Sequence, residues 1–171
     1  MRGHGTAHRR RRVIGGLAVV AAIALLGYFW IWLPTRPADT SHLRVTVSDS
    51  DRFTRRQLDD AVAMLLDGKR DYRGCSIDAI VYDEAWSDRL LALEKETIES
   101  TPGSDSTVYS RGIARYGVEG MAVFSTDFTC GENAPSMGFS PGTTSGWYDF
   151  LAYDPDSPDA DRGWVRIDSG W

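Results

Sequence analysis

The sequence predicts an α+β domain, its helices packed on one face of a largely antiparallel sheet, carried behind a single transmembrane helix. Three observations predict it. Residues 13–33 form an apolar run without a charged side chain. Beyond them the apolar pattern switches between the strand and helix periods in the order β-α-β-α-β-β-β. Cys75 and Cys130, the only two cysteines, fall at the start of one predicted strand and the end of another. Antiparallel pairing brings such ends together.

As a helix rising ~1.5 Å per residue, the run 13–33 covers ~31 Å, close to the ~30 Å hydrocarbon core of a bilayer. Its outer end carries Tyr28, Phe29, Trp30 and Trp32, amphipathic rings suited to the lipid–water boundary, and Pro34 ends it. Arg9, Arg10, Arg11 and Arg12 abut the inner end, whereas only Arg36 lies just beyond the other. That excess makes residues 1–12 a basic cytoplasmic tail and sends the remainder to the extracytoplasmic side. A cleaved signal peptide shares the basic-then-apolar layout, and a twin-arginine signal shares the Arg run. The length of the run, with no small-x-small site after Leu33, favours an uncleaved, single-pass signal anchor. Residues 34–42, polar and with two prolines, read as a stem. Residues 43–171 form the extracytoplasmic domain.

Past residue 12 the chain holds 24 acidic residues against 14 Lys and Arg, a net charge of about −10. Such a surface repels phosphate backbones and excludes nucleic-acid binding, while it favours a basic protein or envelope partner. The even cysteine count in an exported chain predicts a Cys75–Cys130 disulfide. Two free thiols as a redox or metal site would lack C-x-x-C spacing and histidine partners.

Residues 43–47 alternate as a first strand, with Leu43, Val45 and Val47 on one face. Thr54 and Gln57 then spell a capping box, with Phe53 and Leu58 at the staple positions. Leu58, Ala61, Val62, Leu65 and Leu66 recur at helical spacing as far as Gly68. Residues 75–82 read as a strand with Ile77, Ala79 and Val81 on one face, Ile80 and Tyr82 on the other. Ser87 is placed to cap a second helix running to about Glu99. A short helical turn follows over 110–116, stopped by Gly117, and 121–130 is the next strand. Residues 131–146 are Gly-, Pro-, Ser- and Thr-rich and read as a long irregular connection. Two aromatic strands, 147–153 and 164–167, close the chain as a hairpin across an acidic turn.

Each chemical motif has a plainer reading beside it. Residues 138–142, GFSPG, fit a G-x-S-x-G nucleophile elbow at Ser140, but that motif needs a strand-to-helix turn and a later histidine. None follows His42, so Ser140 reads as a turn residue. His4 and His8 lie in the cytoplasmic tail, which leaves His42 alone outside and no histidine-based zinc site. Asp154, Asp156, Asp159 and Asp161 suggest a weak Ca²⁺ site, yet Pro158 and Asp159 occupy the fifth and sixth loop places, and a solvated turn is the simpler account. Asp127 and Glu132 are the nearest approach to a glycosidase carboxylate pair. Trp147, Tyr148, Phe150, Tyr153, Trp164 and Trp171 suggest a sugar-stacking platform, although strand alternation sends half of such a set into a core. No cofactor motif is present, and no catalytic residue is assigned.

Several places share a further likeness: the Gly74–Cys75 entry to a strand ending Tyr82–Asp83, then Asp127–Phe128, Ser140-Pro141-Gly142 before Trp147, and a closing Trp164…Asp168…Gly170 with a terminal aromatic. On these, residues 53–171 resemble small exported domains of unknown function from Gram-positive bacteria, which commonly end in Tyr where this chain has Trp171. The resemblance implies a small α+β domain tethered at, or released from, the membrane, and it supplies no active site. The expected function is a binding or accessory module at the cell envelope. A small-ligand binder and a carboxylate-based envelope enzyme are the alternatives.

Overall fold

The computed structural model describes residues 19–32, 36–101, 103–132, 134 and 139–170. The chain divides into two units, residues 1–36 and a compact body from residue 37 onward. Of the predicted transmembrane helix 13–33, only part is described. Residues 19–27 form α1, which passes into a π-helical turn, Tyr28–Trp32. Among the described residues no helix is long and apolar enough to cross a membrane. The predicted cytoplasmic tail 1–12 lies outside the described residues.

The body is built on a five-stranded sheet in the order β1-β2-β3-β4-β5. The strands are β1 (Arg44–Val47), β2 (Cys75–Tyr82), β3 (Met121–Cys130), β4 (Gly142–Tyr153) and β5 (Trp164–Gly170). Only β1 and β2 run parallel; the other neighbours are antiparallel. A parallel pair needs a crossover, and helix α2 (Arg55–Lys69) supplies it. The predicted capping box is present: Thr54 Oγ1 accepts from Gln57 N, and the Gln57 side chain accepts from Thr54 N. Phe53 and Leu58, the staple pair, are both buried. Part of the predicted stem is laid along the sheet, since Asp39 N donates to Cys75 O at 2.9 Å and Ile77 N donates to Asp39 O at 2.8 Å.

Helix α3 (Glu84–Ser100) is capped by Asp83, whose carboxylate accepts from Trp86 N at 2.7 Å, rather than by Ser87. Ser87 is instead buried, its hydroxyl accepting from Val123 N of the sheet. A π-helical turn, Val108–Ile113, and the short α4, Ala114–Tyr116, follow, and Gly117 ends them at φ +68°, a conformation that favours glycine.

The helices do not share one face of the sheet, and this corrects the expectation from sequence. Ala122 and Phe124 of β3 pack into a cluster with Leu58, Ala61 and Leu65 of α2. Met121 and Val123, pointing the opposite way, pack with Leu91 of α3 and with Val108 and Ile113. The reason is written in residues 121–124: four consecutive buried apolar residues need cover on both sides. Two further corrections follow from local geometry. A bulge between Ile77 and Ala79 puts Ile77, Ile80 and Tyr82 together in the α2-side core and leaves Val81 exposed. Strand β4 begins at Gly142, so the irregular connection is shorter than its composition suggests.

Candidate functional site

The most chemically distinctive cluster lies under the C-terminal end of α2. The last residue of that helix, Lys69, reaches down to the sheet, where Asp149 of β4 and Thr126 of β3 point toward it. Lys69 Nζ lies 2.7 Å from Asp149 Oδ2, with the two side chains 2% and 1% exposed. Thr126 Oγ1 donates to the same Oδ2 at 2.9 Å. The amine also sits 5.2 Å from the Tyr72 ring centroid. Tyr72, Phe128 and Phe139 form a mutually packed trio with centroids 4.8 to 5.3 Å apart, and Trp147 packs on Phe139 at 5.4 Å. The guanidinium of Arg166 lies over Gly68, where a Cβ would collide with it.

The electrostatics follow from burial. Loss of water pushes the Lys69 amine below the usual lysine range, against the pull of the Asp149 charge. Burial, then the same carboxylate, pushes the Tyr72 phenol up. An amine and a carboxyl group in contact, shielded from water and flanked by a hydroxyl, form an acid–base pair with proton transfer available within it. The sequence reading did not find this pair. Lys69 reads as an ordinary cation at a helix C-terminus. Asp149 was the available signal: a carboxylate inside the aromatic strand WYDFLAY needs a partner.

A second charged cluster joins the segment before α2 to α3. Arg52 donates through Nε to Glu84 at 3.1 Å, through Nη1 to Val118 O at 2.8 Å, and through Nη2 to Asp88. Burial works against each charge here, yet the hydrogen bonds to Glu84 hold its carboxyl below the usual range and raise Arg52 further. Asp88 moves the other way despite its ion pair, because burial and the nearby Glu84 and Glu119 outweigh the guanidinium. All three donor edges of Arg52 are occupied, so the cluster serves as a latch between elements.

The residues singled out from sequence are dispersed. Ser140 is exposed two residues before β4, on a chain that leads into a strand and not a helix. Asp127 accepts from Gly146 N at 2.9 Å, at the register shift between β3 and β4, and Glu132 lies exposed past the end of β3. Asp156 and Asp159 are exposed, Asp161 pairs with Arg162 at 2.9 Å, and Asp154 faces Arg115 at 3.9 Å. Among the described residues no group of three or more His, Cys, Asp or Glu side chains is placed to hold a metal ion.

The aromatic set is split between the two faces of the sheet. Trp147, Tyr153 and Trp164 join the α2-side core, while Phe150 and Tyr148 join the other, Tyr148 against Trp86. Trp171 lies outside the described residues. Cys75 and Cys130 are directly opposed in the β2–β3 register and form a disulfide. An open groove of about 710 Å³ runs between α3 and the turn at Gly117, lined by Ala92, Lys95, Glu96, Glu99, Val118 and Glu119 among others.

Comparison of this chain with protein-family models, with curated proteins and with solved structures found no match.

Proposed function

We propose that the chain is a membrane-anchored, extracytoplasmic accessory module that acts by contact with a basic protein or envelope partner. One observation carries the anchor. The large apolar side chains described in 19–32 are exposed, between 43% at Tyr28 and 79% at Trp30, a surface suited to lipid. The uncharged run 13–33, of which these residues are part, has the length for a bilayer, and the Arg run before it orients the body outward. The disulfide fits an oxidising compartment. The excess of acid beyond residue 12 and the glutamate-lined groove give the contact surface its sign. The likeness of residues 53–171 to small exported domains points the same way.

The test is fractionation of cells carrying the full chain. The chain should stay with membranes in alkaline carbonate, and protease added outside spheroplasts should digest the body. Release by carbonate, or protection of the body, would reject the anchor and its orientation. Cross-linking in intact cells then addresses contact: adducts should weaken as salt is raised, as expected for exposed charges screened within ~8 Å at physiological ionic strength. Adducts indifferent to salt would reject an electrostatic partner.

A further inference from the structure

We propose that Lys69 and Asp149 condense to an intramolecular amide, a cross-link that ties the end of α2 to β4 with release of one water. The geometry supplies the reactants in contact: Nζ lies 2.7 Å from Oδ2, and both side chains are almost wholly shielded from solvent. Once Nζ stands over Cγ in a near-attack geometry, effective concentrations of roughly 10⁵–10⁸ M favour condensation over hydrolysis when water is kept out. Condensation also removes two charges from a site where each carries a desolvation penalty.

The proton inventory closes. One proton passes from the ammonium to Oδ2 of the carboxylate, which gives a neutral amine and a carboxylic acid; burial, by lowering Lys69, assists this step. The nitrogen lone pair attacks Cγ, and the N–C bond forms. Oδ2, the oxygen that accepts from both Lys69 and Thr126, takes the second nitrogen proton by way of the Thr126 hydroxyl, and the C–Oδ2 bond breaks with water leaving. No oxidant, reductant or metal is required.

The residue choice supports the assignment. The chain uses Arg 17 times and Lys twice, at Lys69 and Lys95, yet the buried position holds Lys. Arg would match a carboxylate with a two-pronged fork, but its delocalised guanidinium is a poor nucleophile.

Mass spectrometry of the intact full chain, with the disulfide reduced, tests the proposal. The expected mass is one water below that calculated from the sequence, and digestion should yield a branched peptide joining Lys69 to Asp149. Peptide mapping is essential because Asp67–Gly68 next door can lose water as a succinimide. Asp149→Asn should condense with loss of ammonia and give the same linked product, whereas Lys69→Arg should show its full calculated mass. Should either variant fail to fold, the wild-type mass still decides. A full-mass wild-type chain, or a water lost anywhere other than between these two residues, overturns the proposal.

Discussion

Removing the disulfide should cost the body about 4–5 kcal/mol, and the double substitution Cys75→Ala/Cys130→Ala measures it. The bridge spans a separation of 55 residues. On the chain-entropy account, closing a loop of that size removes ~4 kcal/mol of unfolded-state freedom. Both cysteines are buried against the α2-side core, so the lost sulfur contacts add about 1 kcal/mol. A Lys69–Asp149 amide would shorten the ring that the disulfide closes and bring the entropic part down to roughly 3.5 kcal/mol. Urea unfolding of oxidised wild type, reduced wild type and the variant is the assay. With an m-value of about 1.5 kcal/mol/M, the midpoint should fall by about 3 M, and m should rise as the unfolded chain expands. Reduced wild type, which keeps its sulfur contacts, should be more stable than the variant by about 1 kcal/mol. A loss under ~1 kcal/mol in both would show that β2–β3 pairing already supplies the order credited to the bridge, and would refute the loop-closure reasoning.

The remaining predictions concern two contacts that lock the helices, the Trp164 indole bond to α2 and the Arg52 latch to α3. Trp164→Phe removes the indole bond to Gln57 O, 2.7 Å long, from a fully buried ring; a loss of about 2–3 kcal/mol is expected in the same urea assay. Arg52→Met should cost about 1–2 kcal/mol, since it leaves the half-buried Glu84 and Asp88 without their cation. The same variant has a pH signature. Glu84 is held below its ordinary range, so its stabilising share is present above the unfolded-state pKa and is lost as pH falls through the folded one. Asp88 is shifted up and contributes the opposite slope. Melting temperature followed from neutral pH into acid should therefore show a shallower decline for Arg52→Met than for wild type with respect to the Glu84 step; an unchanged profile would reject the latch.

How legible this fold was in the sequence depended on whether the deciding signal was local. The α2 cap was readable because Thr54 and Gln57 are three residues apart and satisfy each other's backbone donors. The Cys75–Cys130 pairing was readable because the strand ends themselves located the cysteines. The two-sided sheet is signalled by the unbroken apolar run 121–124, whose four buried residues need cover on both sides. The bulge in β2 leaves no such trace: the apolar residues of 77–81 fit either register, and only the pairing with β3 decides which faces inward. The Lys69–Asp149 pair was the least legible. Its members are far apart in sequence, and neither type signals burial alone; only the crossover through α2 brings the helix end over β4.

The two-sided cover bears on how a partner would reach the body. Each face of β3 is packed beneath helical segments, so a contact module of this construction must present something other than the sheet centre. Helix α3 fits that need. Ser87 and Leu91 are its buried residues, whereas Ala92, Leu93, Lys95, Glu96, Glu99 and Ser100 of its second half are exposed. That half forms one wall of the groove, and Glu119 contributes to the other. The first turns of the helix are fixed by Asp83 and by the Arg52 latch at Glu84 and Asp88, and its second half by the hydroxyls of Ser106 and Tyr109, which donate to Glu94 and Glu99. The latch therefore stands to position the acidic surface as well as to stabilise the fold. On this account Arg52→Met should weaken partner cross-linking under conditions where the body remains folded, while Trp164→Phe, acting on the opposite face, should leave it unchanged. Equal effects of the two variants would mean that contact depends on global stability and not on α3.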